Sequence, residues 1–185
     1  MPSARDRVLD AYETLLIDHG PAAATLDGVA AAAGVSKGGL LYHFASKDAL
    51  AAGLLDRLRD RSAADADAIR TAPDGAVAFY LRSSAPGGED PTGVTRTYLA
   101  VLRIADGTAG PPIRDALAAV AAEGYAALRD ELGDPTLAWL AQLVGDGLYL
   151  RTLTGTPLPD DVTVEDLLVR LRRILPADAR QPPPG

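Results

Sequence analysis

Apolar positions recur along this chain at helical spacing almost from end to end. Val8, Leu9, Tyr12, Leu15 and Leu16 share one face of a helix predicted from Ser3 to His19. Gly20-Pro21 ends it, since glycine suits the position after a helix and proline cannot continue one. Thr25 reads as the N-cap of a short helix, Leu26 to Ala33, which Gly34 closes. Ser36 caps a third helix, Lys37 to about Phe44. Ser46 caps a fourth, Lys47 to about Ala68, with Leu50, Leu54 and Leu58 on its inner face. A helix over Asp74 to Ser83 leads to a Gly- and Pro-rich loop at 84–93. Beyond it come a helix from Val94 to Ala105, a break at 106–112, and an Ala-rich helix from Ile113 to Leu132. Gly133-Asp134-Pro135 turns the chain into a helix over Thr136 to Thr154. The last helix is capped by Thr163 with Asp166 in a capping box, and Pro176 stops it. Residues 181–185 form a polyproline-like tail expected to be disordered. No stretch alternates long enough for a strand, so the fold class is all-α.

The last two helices carry more apolar surface than one neighbour needs. Leu137, Leu140, Val144 and Leu148 form one stripe, and Trp139, Leu143, Leu150 and Leu153 a second. In the final helix Leu167, Leu168, Leu171, Ile174 and Leu175 lie opposite Arg170, Arg172 and Arg173. Packing both helices against their copies makes a four-helix dimer interface, with Leu137, Leu140, Val144, Leu148, Leu167, Leu171 and Ile174 at its centre. The competing possibility is that these stripes face only the chain's own core, because a stripe does not name its partner.

Composition removes several function classes. At 185 residues the chain is long enough for one domain, or one plus a small head, with a core that needs no staples. It has no cysteine, which excludes disulfides, thiolate metal sites and thiol nucleophiles. Two histidines far apart speak against a metal site, and no phosphate-cradling loop follows a strand. No catalytic constellation emerges, so neither an enzyme nor a cofactor or bound metal is expected. No run reaches the ~18 to 20 apolar residues of a membrane span, and the charged N-terminus does not read as a signal peptide. The expectation is a cytoplasmic protein with no membrane partner.

The net charge is −7, and the first fifty residues carry four Lys or Arg against six acids. Any contact with a polyanion therefore depends on position and not on bulk charge. Residues 25–47 supply such a position. Two short helices meet across Gly34-Val35-Ser36, where glycine takes a left-handed turn conformation without a Cβ clash. Val29, Ala30 and Ala33 face Leu40, Leu41 and Phe44, and the small alanines permit close approach. This is a helix-turn-helix arrangement, whose second helix enters a major groove.

At these positions the chain resembles the TetR family of transcriptional regulators. The match runs through Thr25, Val29-Ala30, Gly34-Val35-Ser36, Gly39, Leu41-Tyr42-His43-Phe44, Ser46-Lys47 and Leu50, within residues 5–60. Later in the chain it extends only to the all-helical pattern and to Asp146-Gly-Leu-Tyr-Leu-Arg151. The resemblance implies a three-helix DNA-binding head at 1–46, a ligand-sensing and dimerisation domain at 47–176, and a tail at 177–185. It implies that Thr25, Ser36, Tyr42, His43 and Lys47 contact phosphates, while Lys37, Gly38 and Gly39 lie closest to base edges. It implies a cavity for a small apolar or aromatic effector, with Phe79, Tyr80, Tyr98, Leu102, Arg103, Tyr125, Trp139, Leu143 and Asp146 as candidates. A homodimer on a palindromic operator, released by that effector, follows. A regulator without a ligand, constitutive or controlled by a protein partner, is the alternative.

Two departures bear on readout. Gly28 interrupts the second helix at a cost of ~1 kcal/mol relative to alanine. Gly38-Gly39 leaves the recognition helix with one lysine and no arginine, so few base contacts are expected, supplemented by DNA shape and half-site spacing.

Overall fold

The computed structural model describes residues 3–105 and 110–174. The regular structure among them is helical: α1 (Ala4–His19), α2 (Leu26–Ala33), α3 (Lys37–His43), α4 (Lys47–Thr71), α5 (Ala76–Ser84), α6 (Val94–Ile104), α7 (Pro111–Leu132), α8 (Pro135–Thr154) and α9 (Val164–Ile174). Positions 106–109 of the second break, Leu175, Pro176 and the tail at 177–185 lie outside the described residues.

The caps explain why the helices begin where they do. Ser3 and Asp6 close a reciprocal box at the start of α1. The hydrogen bond from Ser3 holds the Asp6 carboxyl below its usual range. Thr25 Oγ1 accepts from the Gly28 N–H at 3.1 Å, and Ser36 Oγ from the Gly39 N–H at 3.0 Å. Gly28 itself is accounted for here. A Cβ would stand 2.9 Å from the Ala23 carbonyl and 3.1 Å from the capping Thr25 hydroxyl, so alanine's propensity gain is unavailable. α7 begins two residues earlier than the pattern predicts because Pro111 and Pro112 sit in its first turn, where a missing N–H costs nothing. α5 begins two residues later than predicted: Glu131 of α7 accepts from the N–H groups of Ala76 and Val77, an N-terminal cap brought from a distant part of the chain.

The chain divides into two compact units. The first comprises residues up to Arg61 together with Gly93–Ala119. In it α1 packs against α2, α3 and α6. Val8, Leu9, Tyr12 and Leu16 are buried along with Val29, Leu40, Leu50, Leu54, Leu58 and Val101. Burial pushes the Tyr12 hydroxyl up to about 12, with Asp48 adding to it, so the phenol stays neutral. Phe44 lies against α4 where Gly53 leaves room, since a Cβ there would stand 2.6 Å from the ring. At the junction of α1, α4 and α6 is a carboxylate, Glu13, only 1% exposed. Arg61 Nη1 approaches it at 3.0 Å, Arg57 at 3.4 Å and Arg96 at 3.5 Å, and Thr97 Oγ1 donates to it at 2.8 Å. Arg57 also holds Asp10 at 2.6 Å, and Arg61 donates to the Gly93 carbonyl at 3.1 Å.

The second unit comprises Ser62–Thr92 and the residues from Val120 onward. Its core joins Ile69, Val77, Leu81, Leu128, Leu132, Ala138, Ala141, Leu148, Leu168 and Leu171. α5 packs against α8 and α9. Arg82 ties α5 to α9 through a two-pronged contact with Glu165 at 2.9 and 3.2 Å, and also pairs with Asp74. Gly145 on α8 admits the Tyr80 ring, into which any Cβ at that position would run. Gln142 is buried, its Nε2 donating to the Ala121 carbonyl at 2.8 Å.

Candidate nucleic-acid interface

α2 and α3 meet at Gly34, whose φ of 63° is left-handed and whose N–H returns to the carbonyls of Ala30 and Ala31. Leu40 and Phe44 turn inward and are buried. Leu41, expected to pack with them, is instead 38% exposed, since it follows Leu40 around the helix onto the outer side. The polar positions lie outside. Thr25, Ser36, Lys37, Gly38, Tyr42, His43 and Lys47 are all exposed and Gly39 is half-buried. Tyr42 is 86% exposed, with the His43 ring edge-on to it at 5.1 Å.

Four of these groups already have partners. Thr25 and Ser36 spend their hydroxyls on the caps of α2 and α3. Lys47 Nζ donates to the Pro21 carbonyl at 3.0 Å. Lys37 Nζ sits 2.9 Å from Asp27 of α2. Asp27 escaped the sequence reading because it is ten residues from Lys37. The available signal was the crossing of the two helices, which brings their first turns together. A second group missed is Arg5, whose guanidinium lies over the Phe44 ring at 5.3 Å.

The expected effector residues fall in both units. Tyr98, Leu102 and Arg103 stand on α6 in the first. Phe79, Tyr80, Tyr125, Trp139, Leu143 and Asp146 stand on α5, α7 and α8 in the second. There Tyr80 donates its hydroxyl to Asp146 at 3.1 Å, and Tyr125 meets Trp139 edge-on at 6.1 Å. Burial raises the Asp146 carboxyl above its usual range, and the Tyr80 bond partly opposes this.

The stripes of α8 and α9 divide differently from expectation. Leu148 and Leu171 are buried in the chain's own core, and Leu137, Val144 and Leu167 are half-buried against it. Leu140 and Ile174 remain exposed, joined by Trp139, Leu143, Leu150 and Val169. The turn from inner to outer stripe follows from Gly145, which seats Tyr80 of the same chain; around Gly147 the space is open. Beside this face, α8, the loop after it and α9 bound a groove of about 550 Å³ lined by Val144, Leu148, Leu150, Leu158, Val162 and Leu167.

Comparison with known proteins covers both halves. Residues 8–54 match the family of bacterial regulatory proteins of the tetR type, and residues 75–176 match a tetracyclin repressor-like C-terminal domain. The chain is similar to the structure of a TetR-family member from Streptomyces coelicolor, with 31% identity and a TM-score of 0.64 over 95% of this chain and 100% of that one. It is similar to the multidrug binding protein EbrR complexed with imidazole, with 31% identity and a TM-score of 0.60 over 96% and 97% of the two chains. For EbrR complexed with ethidium the identity is 30% and the TM-score 0.59, over 95% and 100%. No curated protein matches. Among the described residues no helix is long and apolar enough to cross a membrane. With a helix-turn-helix whose polar face is outward, and with matches in both halves to transcriptional regulators, the chain belongs to the TetR family and is a DNA-binding transcriptional regulator.

Proposed function

We propose that this regulator is a repressor that binds a palindromic operator as a homodimer and leaves it when a small aromatic molecule occupies the second unit. The observation that carries the DNA half is the segregation on α2 and α3: Leu40 and Phe44 are buried, while Thr25, Lys37, Tyr42, His43 and Lys47 are exposed together. Those side chains, with Ser36, Gly38 and Gly39, are the DNA-facing set. One helix with a single lysine binds weakly, and two copies a helical turn apart (~34 to 36 Å) bind tightly. The outward α8–α9 face of Trp139, Leu140, Leu143, Leu150, Val169 and Ile174 is the surface assigned to the partner copy.

The effector is assigned to the second unit, with Phe79, Tyr80, Tyr125 and Asp146 as its lining and Trp139 and Leu143 at its edge. Aromatic faces beside one carboxylate suit a planar organic cation. Support comes from EbrR, a multidrug binding protein seen with ethidium. An effector preference of ~1 to 3 kcal/mol for the state with wrongly spaced recognition helices changes operator affinity about 5- to 150-fold.

The test combines three measurements. Sedimentation at micromolar concentration gives a dimer, and Leu140→Glu gives a monomer. Footprinting on the chain's own upstream region gives a twofold-symmetric protected site. Ethidium raises the melting temperature of the DNA-free protein, and aromatic cations that do not intercalate weaken operator binding. A monomeric wild-type protein removes the dimer. A melting temperature and operator binding indifferent to a panel of such cations remove this effector class and favour the constitutive or partner-controlled alternative.

A further inference from the structure

The recognition helix α3 carries two basic side chains, Lys37 and His43, and the chain around it is acidic. Its lysine does not stand free: Asp27, in the first turn of α2, holds Lys37 Nζ at 2.9 and 3.1 Å through its two carboxylate oxygens. Both side chains are well exposed, at 58% for Lys37 and 71% for Asp27. An ion pair this exposed contributes little to folding. A charge so placed acts on whatever approaches from outside.

We infer that Asp27 is a specificity-determining residue: it is a built-in counter-ion that keeps Lys37 from neutralising backbone phosphate on arbitrary sequence. The inference rests on the DNA-facing role of α3 proposed above. For Lys37 to reach a phosphate it must leave Asp27, and the carboxylate is then stranded beside a polyanion. That penalty falls on backbone contacts, which are the same for every sequence and dominate non-specific binding. A lysine held by both oxygens of Asp27 keeps one N–H donor, which is free for an acceptor on a base edge. Gly38 and Gly39 put no other side chain in the way. Asp27 therefore lowers affinity for all duplexes, and lowers it most for the wrong ones.

The test uses a 30-bp duplex of random sequence and a duplex obtained by selection on the wild-type protein, each titrated from 50 to 200 mM salt. With Asp27→Asn, random-duplex binding tightens about three- to tenfold, and the salt slope steepens by about 0.9, the value for one added phosphate contact. Selected-duplex binding tightens less, so the ratio between the two falls. Asp27→Glu, which keeps the charge, stays near wild type in slope and ratio. In a Lys37→Met background the Asp27→Asn gain is mostly lost. An unchanged slope with Asp27→Asn overturns the inference, as does a gain that persists in full without Lys37. Failure of the wild-type protein to hold either duplex at 50 mM salt overturns the DNA-facing assignment of α3 and this inference with it. Binding with no Asp27 effect overturns this inference alone.

Discussion

Both units of the chain have apolar cores, and the first adds a buried charge to its own. The first is fastened at its centre by a charge: Glu13, fully enclosed, faces Arg57, Arg61, Arg96 and Thr97 from α4 and α6. The second is fastened by apolar contact among Leu81, Leu128, Leu148 and Leu168, with its ion pairs, such as Arg82–Glu165, at the surface. Apolar packing is non-directional and tolerates repacking, so it suits the half proposed to take the effector. A buried carboxylate with several fixed donors specifies position, because displaced partners are left uncompensated. The unit containing α2 and α3 is the one that has to hold its helices at a set angle.

The sharpest way to break this contrast is Glu13→Ala. It removes the buried carboxylate that Arg57, Arg61 and Arg96 share, and the expected loss is about 3 to 5 kcal/mol in urea unfolding. Hydrogen exchange should then rise first in α1 and α6. A loss under about 1 kcal/mol would mean the node is solvated and the contrast false. Leu128→Ala, at a wholly buried position, probes the other unit; a cavity there costs about 2 to 4 kcal/mol, with exchange rising in α5 and α8.

A smaller effect, of opposite sign, comes from Asp65 on α4. Burial is the main cause that pushes its carboxyl up to about 6, with Asp90 adding repulsion, while the Thr92 hydroxyl bond at 3.1 Å opposes. A carboxyl whose folded value lies above its unfolded one weighs against the fold when ionised. The penalty is absent below about pH 4, grows through pH 6, and is complete above it. Asp65→Asn should therefore stabilise the protein at pH 8 by about 1 to 2 kcal/mol, allowing for partial exposure, and the gain should vanish near pH 4 in paired thermal melts. The smallest effect belongs to Arg59→Ala. Its contact with Asp56 at 2.7 Å is short but exposed, and its loss should cost no more than about 0.5 kcal/mol. Together with Glu13→Ala this separates burial from distance as the source of strength.

The sequence made the element order readable because each helix has a local start and stop. Thr25, Ser36, Ser46 and Thr163 cap as expected, and Gly34 and Gly155 close their helices in the left-handed region. The outward polar face of α2 and α3 was readable for the same reason. Three things were not. Glu13, Arg57, Arg61 and Arg96 are far apart in the chain, and each charge alone reads as solvated. Glu131 caps α5 from α7, which no local signal announces. Both stripes of α8 are apolar, so periodicity could not say that Leu148 faces inward and Trp139 outward.

Gly38 gives the recognition helix a vacancy. Its φ is not in the left-handed region, and the nearest atom to an added Cβ, the Ser36 hydroxyl, would be 4.0 Å away. Side chains can therefore be installed there without disturbing the scaffold, and most would favour the helix over glycine. With α3 facing DNA as proposed, the position is a natural point for retargeting: a library at this single residue would ask how many operators one unchanged framework can learn to distinguish.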